Sequence, residues 1–356
     1  MVTHPLDPQR VLCPAPACPG NGAAGDITVH SRKERRFKCR RCGHSFAATT
    51  GTPFYRLHHD VVLMTVVLAL LAHGCPVQAI VFAFGLHEDT VRAWLERGGA
   101  HTQHVHEPLV QGGQVDEVHV QADELWVRLR RGRVWQALAL AVTSRLWLAG
   151  QISVTRDQAL IDDVVRQVRR SLVHGHVLVC VDGLASYVSA FQQVFWERTP
   201  ALGAGIWRLV LPSGLLLGQV IKERRGRKLV SVTRRAVVGA IEHIEARLQA
   251  TGTGSQIHTA YIERLNSTFR CSWAHLARRS RSLADQQATL VAGMYLVGTV
   301  YNFCRFHDSL RLEGPATGQR WQERTPAMAA GLTDHRWSMA ELLWWRPSAA
   351  LSRPCG

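Results

Sequence analysis

Acidic residues are scarce in this sequence. Of its 356 residues only 27 are Asp or Glu, against 42 Lys and Arg, so the formal net charge is +15. Such an imbalance indicates a polyanionic partner, because Lys and Arg that neutralise phosphates gain free energy by releasing condensed counterions. A membrane surface or a ribosome would also attract this charge, so the charge indicates a class of partner and not a function.

Long uninterrupted apolar runs are lacking as well. The apolar run 61–72 is too short to span a bilayer, and the run 288–304 is interrupted by polar residues and glycines, so both are predicted to be buried core helices. Residues 1–10 contain no apolar segment typical of a secretory signal. We therefore expect a cytoplasmic protein without a membrane partner.

Cysteine is present in an odd number, nine, which does not suit a disulfide framework. Four of the cysteines occur in the first 42 residues, with the spacing C-x4-C, a gap of twenty residues, and C-x2-C. Two close thiol pairs on tight turns can complete a tetrahedral Zn²⁺ shell, and four protein ligands leave no position for a reactive water. Residues 1–52 are thus predicted to be a zinc ribbon with a structural ion, against the alternative of unconnected thiols. The predicted ligands are Cys13, Cys18, Cys39 and Cys42.

A dense basic run lies between and beside the two cysteine pairs. In a basic protein with a zinc ribbon, contact with DNA phosphates is favoured over a merely solvated hairpin. The residues predicted to make these contacts are Arg35, Arg36, Lys38, Arg40 and Arg41.

Residues 53–106 are predicted to be an all-α helix-turn-helix domain. Its helices are expected over 61–71, 77–84 and 87–97. Two helices joined by a glycine turn match the helix-turn-helix layout, in which the second helix enters the major groove. A plain three-helix bundle would show the same apolar spacing, so that alternative stays open.

The last of these helices carries the predicted base and backbone contacts. Thr90 and Arg92 fall on its outer face and are predicted to bind DNA. Gly98, Gly99 and the histidine-rich stretch 101–106 are predicted to form a hydrated linker to the next domain.

From about residue 115 the pattern changes to strands. Three β-rich runs with short turns predict an antiparallel meander, followed by a helix, a buried strand and another helix. This β-β-β-α-β-α order begins an α/β fold of the ribonuclease-H-like type, whose mixed sheet brings carboxylates from its first and fourth strands together. The predicted segments are 118–129, 134–143, 146–154, 157–172, 177–181 and 185–196.

Three acids stand where such a fold needs them. Asp123 is in the middle of an otherwise apolar or neutral strand, where a charge is costly unless it is solvated in a cleft or bound to a cation. Asp182 ends a buried strand at a glycine turn, and Glu263 begins a helix after a flexible loop. The alternative is a pair of structural or capping acids at Asp123 and Asp182 and an ordinary exposed helix acid at Glu263. Glu124 competes with Asp123, but since neighbours on a strand point to opposite faces, only one of the two is expected at a shared site.

These acids lie in segments that carry a family resemblance. The runs 122–126, 181–183 and 261–266 resemble the three acidic boxes of DDE transposases of bacterial insertion sequences, in the class with an N-terminal zinc ribbon and helix-turn-helix. The likeness extends to 301–307 and 325–328. Phe306 departs from the pattern, because related sequences often have Pro at that position.

The resemblance implies a domain order and a mechanism. Residues 107–310 would form a ribonuclease-H-like catalytic domain with a basic insertion around 205–250, and 311–356 a C-terminal tail. Asp123, Asp182 and Glu263 would hold two Mg²⁺ or Mn²⁺ ions. Water would cut the ends of the element, and the 3′-OH groups would then attack target DNA.

Partners and location follow from the same resemblance. We expect double-stranded DNA, both element terminal repeats and target, bound by a homodimer or higher oligomer in the bacterial cytoplasm at the nucleoid. Basic residues flanking the acids are predicted to bind the DNA backbone: Lys222, Arg224, Arg225, Arg227, Lys228, Arg278 and Arg279. The alternatives are a ribonuclease-H-like nuclease that cuts without joining, and a DNA-binding regulator whose catalytic domain has decayed.

Overall fold

A small antiparallel sheet begins the fold. The computed structural model describes residues 7–15, 17–19, 25–200, 207–226, 228–277, 282–314 and 320–346. The sheet consists of β1 (Ile27–Ser31), β2 (Arg36–Cys39) and β3 (Ser45–Ala47) in that order. Phe37 and Phe46 pair across β2 and β3 and are buried beside three of the cysteines, in a core separate from the main one.

Three helices follow, and the first two have the predicted bounds. They are α1 (Val61–Leu71), α2 (Val77–Phe84) and α3 (Glu88–Val110). Asp60 begins α1 by accepting a hydrogen bond from the Val62 amide at 2.9 Å, as expected of an N-cap residue. Gly85 has φ 62°, a left-handed conformation that glycine adopts without strain, and it makes the turn between α2 and α3.

Helix α3 overturns the predicted linker. It continues through Gly98 and Gly99 to Val110 instead of ending near residue 97. A Cβ atom on Gly98 would lie 2.7 Å from the Leu68 side chain, and one on Gly99 would lie 2.5 Å from Ala292. The two glycines therefore allow close helix packing, which the sequence alone does not distinguish from a chain break.

The histidines assigned to that linker are also placed differently. His101 and His106 are buried on α3, and their Nε2 atoms lie 3.0 Å from the Leu342 carbonyl oxygen and 3.1 Å from the Leu148 carbonyl oxygen. Burial lowers the pKa of His101 to about 4 and that of His106 to about 3. Both rings are consequently neutral parts of the core that tie α3 to the rest of the fold.

A six-stranded mixed sheet forms the centre of this α/β protein. Strands β4 (His119–Arg128), β5 (Arg133–Ala141) and β6 (Trp147–Ser153) form an antiparallel meander, as predicted. After α4 (Gln158–Ser171), β7 (Leu178–Asp182) joins β4 in parallel, and α5 (Ala185–Val194) follows. The predicted order of strands and helices is confirmed over this stretch.

The interval predicted to hold a basic insertion contributes to the sheet itself. A short hairpin of β8 (Glu197–Pro200) and β9 (Trp207–Val210) precedes β10 (Leu216–Arg225), which pairs with β7 in parallel. Strand β11 (Lys228–Val238) pairs antiparallel with β10, so the sheet order is β11-β10-β7-β4-β5-β6. The near half of β10 is buried, whereas its far half, Lys222 to Arg225, is exposed.

Helices cover both faces of the sheet. Helices α4 and α5 pack together on one face, whereas α7 (Ala260–Ser272) packs on β4 and β5 from the other. Helix α6 (Ile241–Ala250) packs on β10 and β11. The buried helix α8 (Gln287–Cys304) lies between β6 and α3 and so joins the helical region to the sheet.

The C-terminal elements pack back on the N-terminal part of the chain. They are β12 (Leu312–Glu313), β13 (Trp321–Gln322), α9 (Pro326–Ala329) and α10 (Met339–Trp344). Arg346 donates hydrogen bonds to the carbonyl oxygens of Ala48 and Thr50. Within the described ranges no helix, α8 included, combines the length and the apolarity needed to cross a bilayer.

Candidate metal centres

Four cysteines form the first candidate centre. Their sulfur atoms all lie within 4.8 Å of one another. The Cys13 and Cys42 Sγ atoms are 3.6 Å apart, and the Cys18 and Cys39 Sγ atoms are 3.7 Å apart. Tetrahedral zinc with Zn–S bonds of about 2.3 Å requires sulfur atoms about 3.8 Å apart, so this cluster fits a four-coordinate ion.

Tight turns place these thiols. The Gly43 amide donates to the Cys39 carbonyl at 3.0 Å, with Gly43 at φ 73°, and the Cys18 amide donates to the Ala15 carbonyl at 3.0 Å. Burial raises the pKa of Cys13 to about 12, whereas the Cys42 amide lowers the pKa of Cys39 to about 7. The protein alone therefore does not make all four groups thiolates, and a cation would complete that change.

The basic residues around the ribbon divide into two groups. Lys38 and Arg40 are exposed. Arg36 donates to the Ser45 carbonyl at 3.0 Å, and Arg41 forms an ion pair of 2.5 Å with Asp26. Arg35 is half-buried in a turn with φ 51°. Of the five residues predicted to contact phosphates, Lys38 and Arg40 present their charge most freely.

On α3, the residues predicted to bind DNA lie near its N-terminus. Thr90 is half-buried, and Arg92 forms an ion pair with Glu88 one turn earlier. A second carboxylate, that of Asp285, is 3.8 Å from Arg92. The charge of Arg92 is thus shared with two acids of the protein itself.

Carboxylates form the second candidate centre, and sheet register creates it. Strands β4 and β7 run parallel with Ala122 opposite Val181, so the next residues, Asp123 and Asp182, are neighbours at the same level of the sheet. Asp182 accepts a hydrogen bond from the Leu184 amide at 2.9 Å, and the Asn266 side chain on α7 donates to Asp123 at 2.9 Å. Adjacent strands thus bring the first two predicted acids together.

Glu124 is the main correction at this centre. Alternation was expected to keep it away from Asp123, yet ligand oxygens of Asp123, Glu124 and Asp182 all lie within 4.8 Å of one another. The two side chains do point to opposite faces of the sheet. Asp123 accepts a hydrogen bond from Asn266 on α7, whereas Glu124 interacts with Tyr187 on α5. The site lies where β7 ends, and both side chains reach the Asp182 carboxylate there.

Glu263 approaches the same place from α7. It lines a cavity of ≈ 430 Å³ together with Asp123 and Asp182. The Thr259 hydroxyl donates to Glu263 at 2.9 Å. The three predicted acids therefore line one cavity, although Glu263 is not part of the tighter cluster formed by the other acids.

Gln121 is a positioning residue that sequence reasoning missed. Its side-chain oxygen accepts hydrogen bonds from the amides of Tyr261 and Ile262, each at 3.1 Å, and its side-chain nitrogen donates to the His258 carbonyl at 2.8 Å. It thereby attaches the first turn of α7 to β4, two residues before Asp123. A buried glutamine in an apolar strand is the signal that could have found it.

The electrostatics of the cluster reflect crowded negative charge. Burial, followed by the charges of Glu124 and Asp182, raises the pKa of Asp123 to about 7. Burial and Asp182 also raise the pKa of Glu124. Glu263 differs, because burial is outweighed there by hydrogen bonds from Lys222 and Thr259, which lower its pKa. Asp123 and Glu124 accordingly favour a bound cation or a proton.

Two cations of the protein lie directly on these acids. Arg156 forms an ion pair with Glu124, and its guanidinium is 3.9 Å from Asp182 and 5.0 Å from the centre of the Trp135 ring. Lys222, predicted to bind the DNA backbone, forms an ion pair with Glu263. Neither ion pair could be predicted from the sequence, because the partners of each pair are distant in the chain.

The other predicted backbone contacts surround the site or lie outside the described residues. Arg224 lines a second cavity beside Asp123 and Glu263. Arg225 and Lys228 are exposed and pair in register near the end of the β10–β11 hairpin. Three predicted contacts lie outside the described residues: Arg227, Arg278 and Arg279.

Comparison with known proteins adds no identification. No protein-family model matches this chain, and no curated protein matches it.

Proposed function

We propose that this chain is a DNA transposase whose ribonuclease-H-like catalytic domain cuts element ends and joins them to target DNA. The observation that carries the proposal is the common cavity of Asp123, Asp182 and Glu263. The β-β-β-α-β-α order and the parallel pairing of β4 with β7 support it, because they deliver acids from the first and fourth strands to one place.

The acids are suited to two Mg²⁺ or Mn²⁺ ions. Carboxylate oxygens are hard donors, and the raised pKa of Asp123 reflects crowded negative charge that bound cations would offset. Asp123 and Asp182 would hold the ions, with Glu263 as the third acid and Glu124 available as a further ligand. Such ions activate the attacking oxygen and stabilise the leaving oxygen in an in-line displacement at phosphorus.

Other residues would orient the acids and receive DNA. Asn266 fixes one oxygen of Asp123, and Thr259 fixes one of Glu263. Lys222 and Arg224 line the cavities around the acids, where they would neutralise the phosphates that approach them. Arg156 would have to release Glu124 and Asp182 when an ion binds there.

The N-terminal modules would select the DNA. We assign a structural Zn²⁺ to Cys13, Cys18, Cys39 and Cys42, whose spacing fits a closed tetrahedral shell. The ribbon and the helices α2 and α3 would bind the terminal repeats of the element in the bacterial cytoplasm. Bringing two ends together requires at least a dimer.

The test uses the full chain with a supercoiled plasmid in which the DNA flanking the coding region has been cloned on both sides of a marker. With Mg²⁺ or Mn²⁺, we expect end cleavage and strand-transfer products. Asp182→Asn should reduce both by about a thousandfold or more, because the acid has no substitute on β7.

A matched control is Asp163→Asn, which removes an acid on α4 that pairs with Arg166. It should leave both products unchanged. Cleavage without joining would indicate a nuclease, and specific binding without metal-dependent cleavage would indicate a regulator. Equal activity of the native chain and Asp182→Asn would remove the catalytic assignment.

A further inference from the structure

A third cavity, lined by charged and aromatic side chains, lies on the other side of α7 from the acids. It has a volume of ≈ 610 Å³ and is bounded by α7, the end of α8 with the segment that follows it, and the turn between β5 and β6. Four arginines line it, and Asp308 is the one acid that does so among the described residues. The arginines are Arg145, Arg264, Arg305 and Arg311.

Helix α7 separates the two cavities by its periodicity. Glu263, Asn266 and Arg270 lie on the face that lines a cavity beside Asp123. Tyr261, Arg264 and Thr268 recur at the same spacing on the opposite face and line the arginine cavity. A polymer that reaches the acids therefore passes within one helix width of the arginines.

Arg145 has an unfavourable backbone conformation, which contacts with neighbouring residues stabilise. It has φ 59° in the turn between β5 and β6, a region that residues with a Cβ atom seldom adopt. The Tyr301 hydroxyl donates to the Arg145 carbonyl at 3.0 Å, and the Arg145 guanidinium donates to the Val142 carbonyl. Such strain persists where surrounding contacts impose it, and it is concentrated at functional sites.

Flat aromatic groups line the cavity beside the charges. The Arg145 guanidinium lies 4.0 Å from the centre of the Tyr261 ring. Tyr301 and Phe306 are also in the lining, and 38% of Phe306 is exposed. Rings and guanidinium planes of this kind are the groups on which unpaired bases stack.

Among the described residues, four arginines and one acid line this cavity, so its charge is positive. In the described part of the chain, no carboxylate forms an ion pair with any of its four arginines, in contrast to Arg156 and Lys222 at the acid cluster. Arg305 donates to the Ser272 hydroxyl at 2.8 Å. Burial, together with Arg145 and Arg264, lowers the pKa of His307, as expected in a positive field.

From this arrangement we propose that the arginine cavity binds one unpaired nucleotide of a DNA strand, with its phosphate on the arginines and its base against Tyr261 and Phe306. The choice of DNA as the polymer rests on the proposed function. The pocket itself rests on its charge, its aromatic lining and a volume sufficient for a nucleotide. Single-stranded ends or a base displaced from a duplex would supply such a nucleotide.

The test measures the affinity of the full chain for a short fluorescent oligothymidylate and for an abasic strand of the same length, by anisotropy in EDTA. Arg264→Gln should weaken the binding of both strands about tenfold, since each loses one charge-assisted phosphate contact. Phe306→Leu should weaken oligothymidylate binding by about tenfold and leave the abasic strand nearly unaffected, because only stacking is lost.

Arg166→Gln is the charge-matched control, since Arg166 lies on α4, on the opposite face of the sheet. It should change neither affinity, and thermal melting checks that each variant is folded. Equal weakening by Arg166→Gln and Arg264→Gln, or equal affinity of the native chain for the two strands, would overturn the proposal. EDTA prevents metal-dependent chemistry, so this binding assay is independent of the plasmid assay. If the plasmid assay fails while binding still depends on Arg264, the proposed function is contradicted and the nucleotide site is not.

Discussion

The cysteine cluster and the carboxylate cluster are both suited to cations, but they differ in how the protein treats the charge. Three of the four cysteines are buried in a small core of their own. The carboxylates line an open cavity, and two cations of the protein, Arg156 and Lys222, contact them. The first cluster is enclosed in its own small core, whereas the second carries its own counter-charges.

This difference indicates a structural ion at the cysteines and exchangeable ions at the carboxylates. A closed shell of four thiolates makes the ion part of a core too small to be stable alone. An open shell with paired acids allows the fold to exist without ions, because Arg156 offsets part of the repulsion between Glu124 and Asp182. The comparison predicts that loss of one ligand has very different consequences at the two centres.

The largest effect is expected for Cys39→Ser. With one ligand lost, the ribbon should no longer retain zinc, and structural zinc sites contribute roughly 10 kcal/mol or more to folding. The β1–β3 sheet should then unfold while the six-stranded sheet stays folded, since their cores are separate. Metal content by mass spectrometry and limited proteolysis between residues 7 and 52 would measure this.

Cys271→Ser is the matched control, because Cys271 is exposed on α7 outside the cluster. It should retain one zinc per chain and the native proteolysis pattern. A Cys39→Ser protein that keeps its zinc would contradict the closed four-thiolate shell and would make the two centres alike.

At the carboxylates we expect a smaller effect of opposite sign. In EDTA, Asp123→Asn should increase the free energy of unfolding, whereas Cys39→Ser decreases it. Burial and its acidic neighbours raise the pKa of Asp123 to about 7, above the unfolded value of about 4. Its contribution to stability is therefore fully present below about pH 4 and is lost as the pH rises through about 7. Above that pH, Asp123→Asn should be more stable than the native chain by about 4 kcal/mol.

Urea unfolding of both proteins across this pH range would measure the difference. The comparison between variants is needed because buried His101 and His106 titrate in the opposite sense. Asp116→Asn, at an exposed acid outside the carboxylate cluster, serves as the control. If the Asp123→Asn gain does not grow between about pH 4 and 7, the crowding of charge at this centre is refuted.

The two centres also differ in how far the sequence predicts them. The cysteine ligands are grouped in two short segments, so their spacing alone indicated the cluster. Asp123 and Asp182 could be predicted because each occupies a recognisable place on a strand, and parallel pairing of β4 and β7 brings them together. The central order of strands and helices was predictable for the same reason, from hydrophobic periodicity.

Contacts between distant segments could not be predicted. Alternation correctly gave Glu124 a different face from Asp123, but it did not reveal that both side chains reach Asp182 where β7 ends. The glycines of α3 matched a linker because their packing partners, Leu68 and Ala292, are far away in sequence. The ion pair of Lys222 with Glu263 depends on how β10 and α7 meet.

The smallest effect is expected for Arg156→Gln, which removes the counter-charge of the open centre. In EDTA the variant should be less stable than the native chain by about 1 kcal/mol, because Glu124 is buried but can take up a proton and Arg156 is partly exposed. Mn²⁺ should abolish this loss, since it replaces the guanidinium beside Glu124 and Asp182. Thermal melting with and without Mn²⁺ measures both, with Arg166→Gln as control. A loss that persists in saturating Mn²⁺ would mean that Arg156 is a structural residue and that the carboxylate centre is not exchangeable.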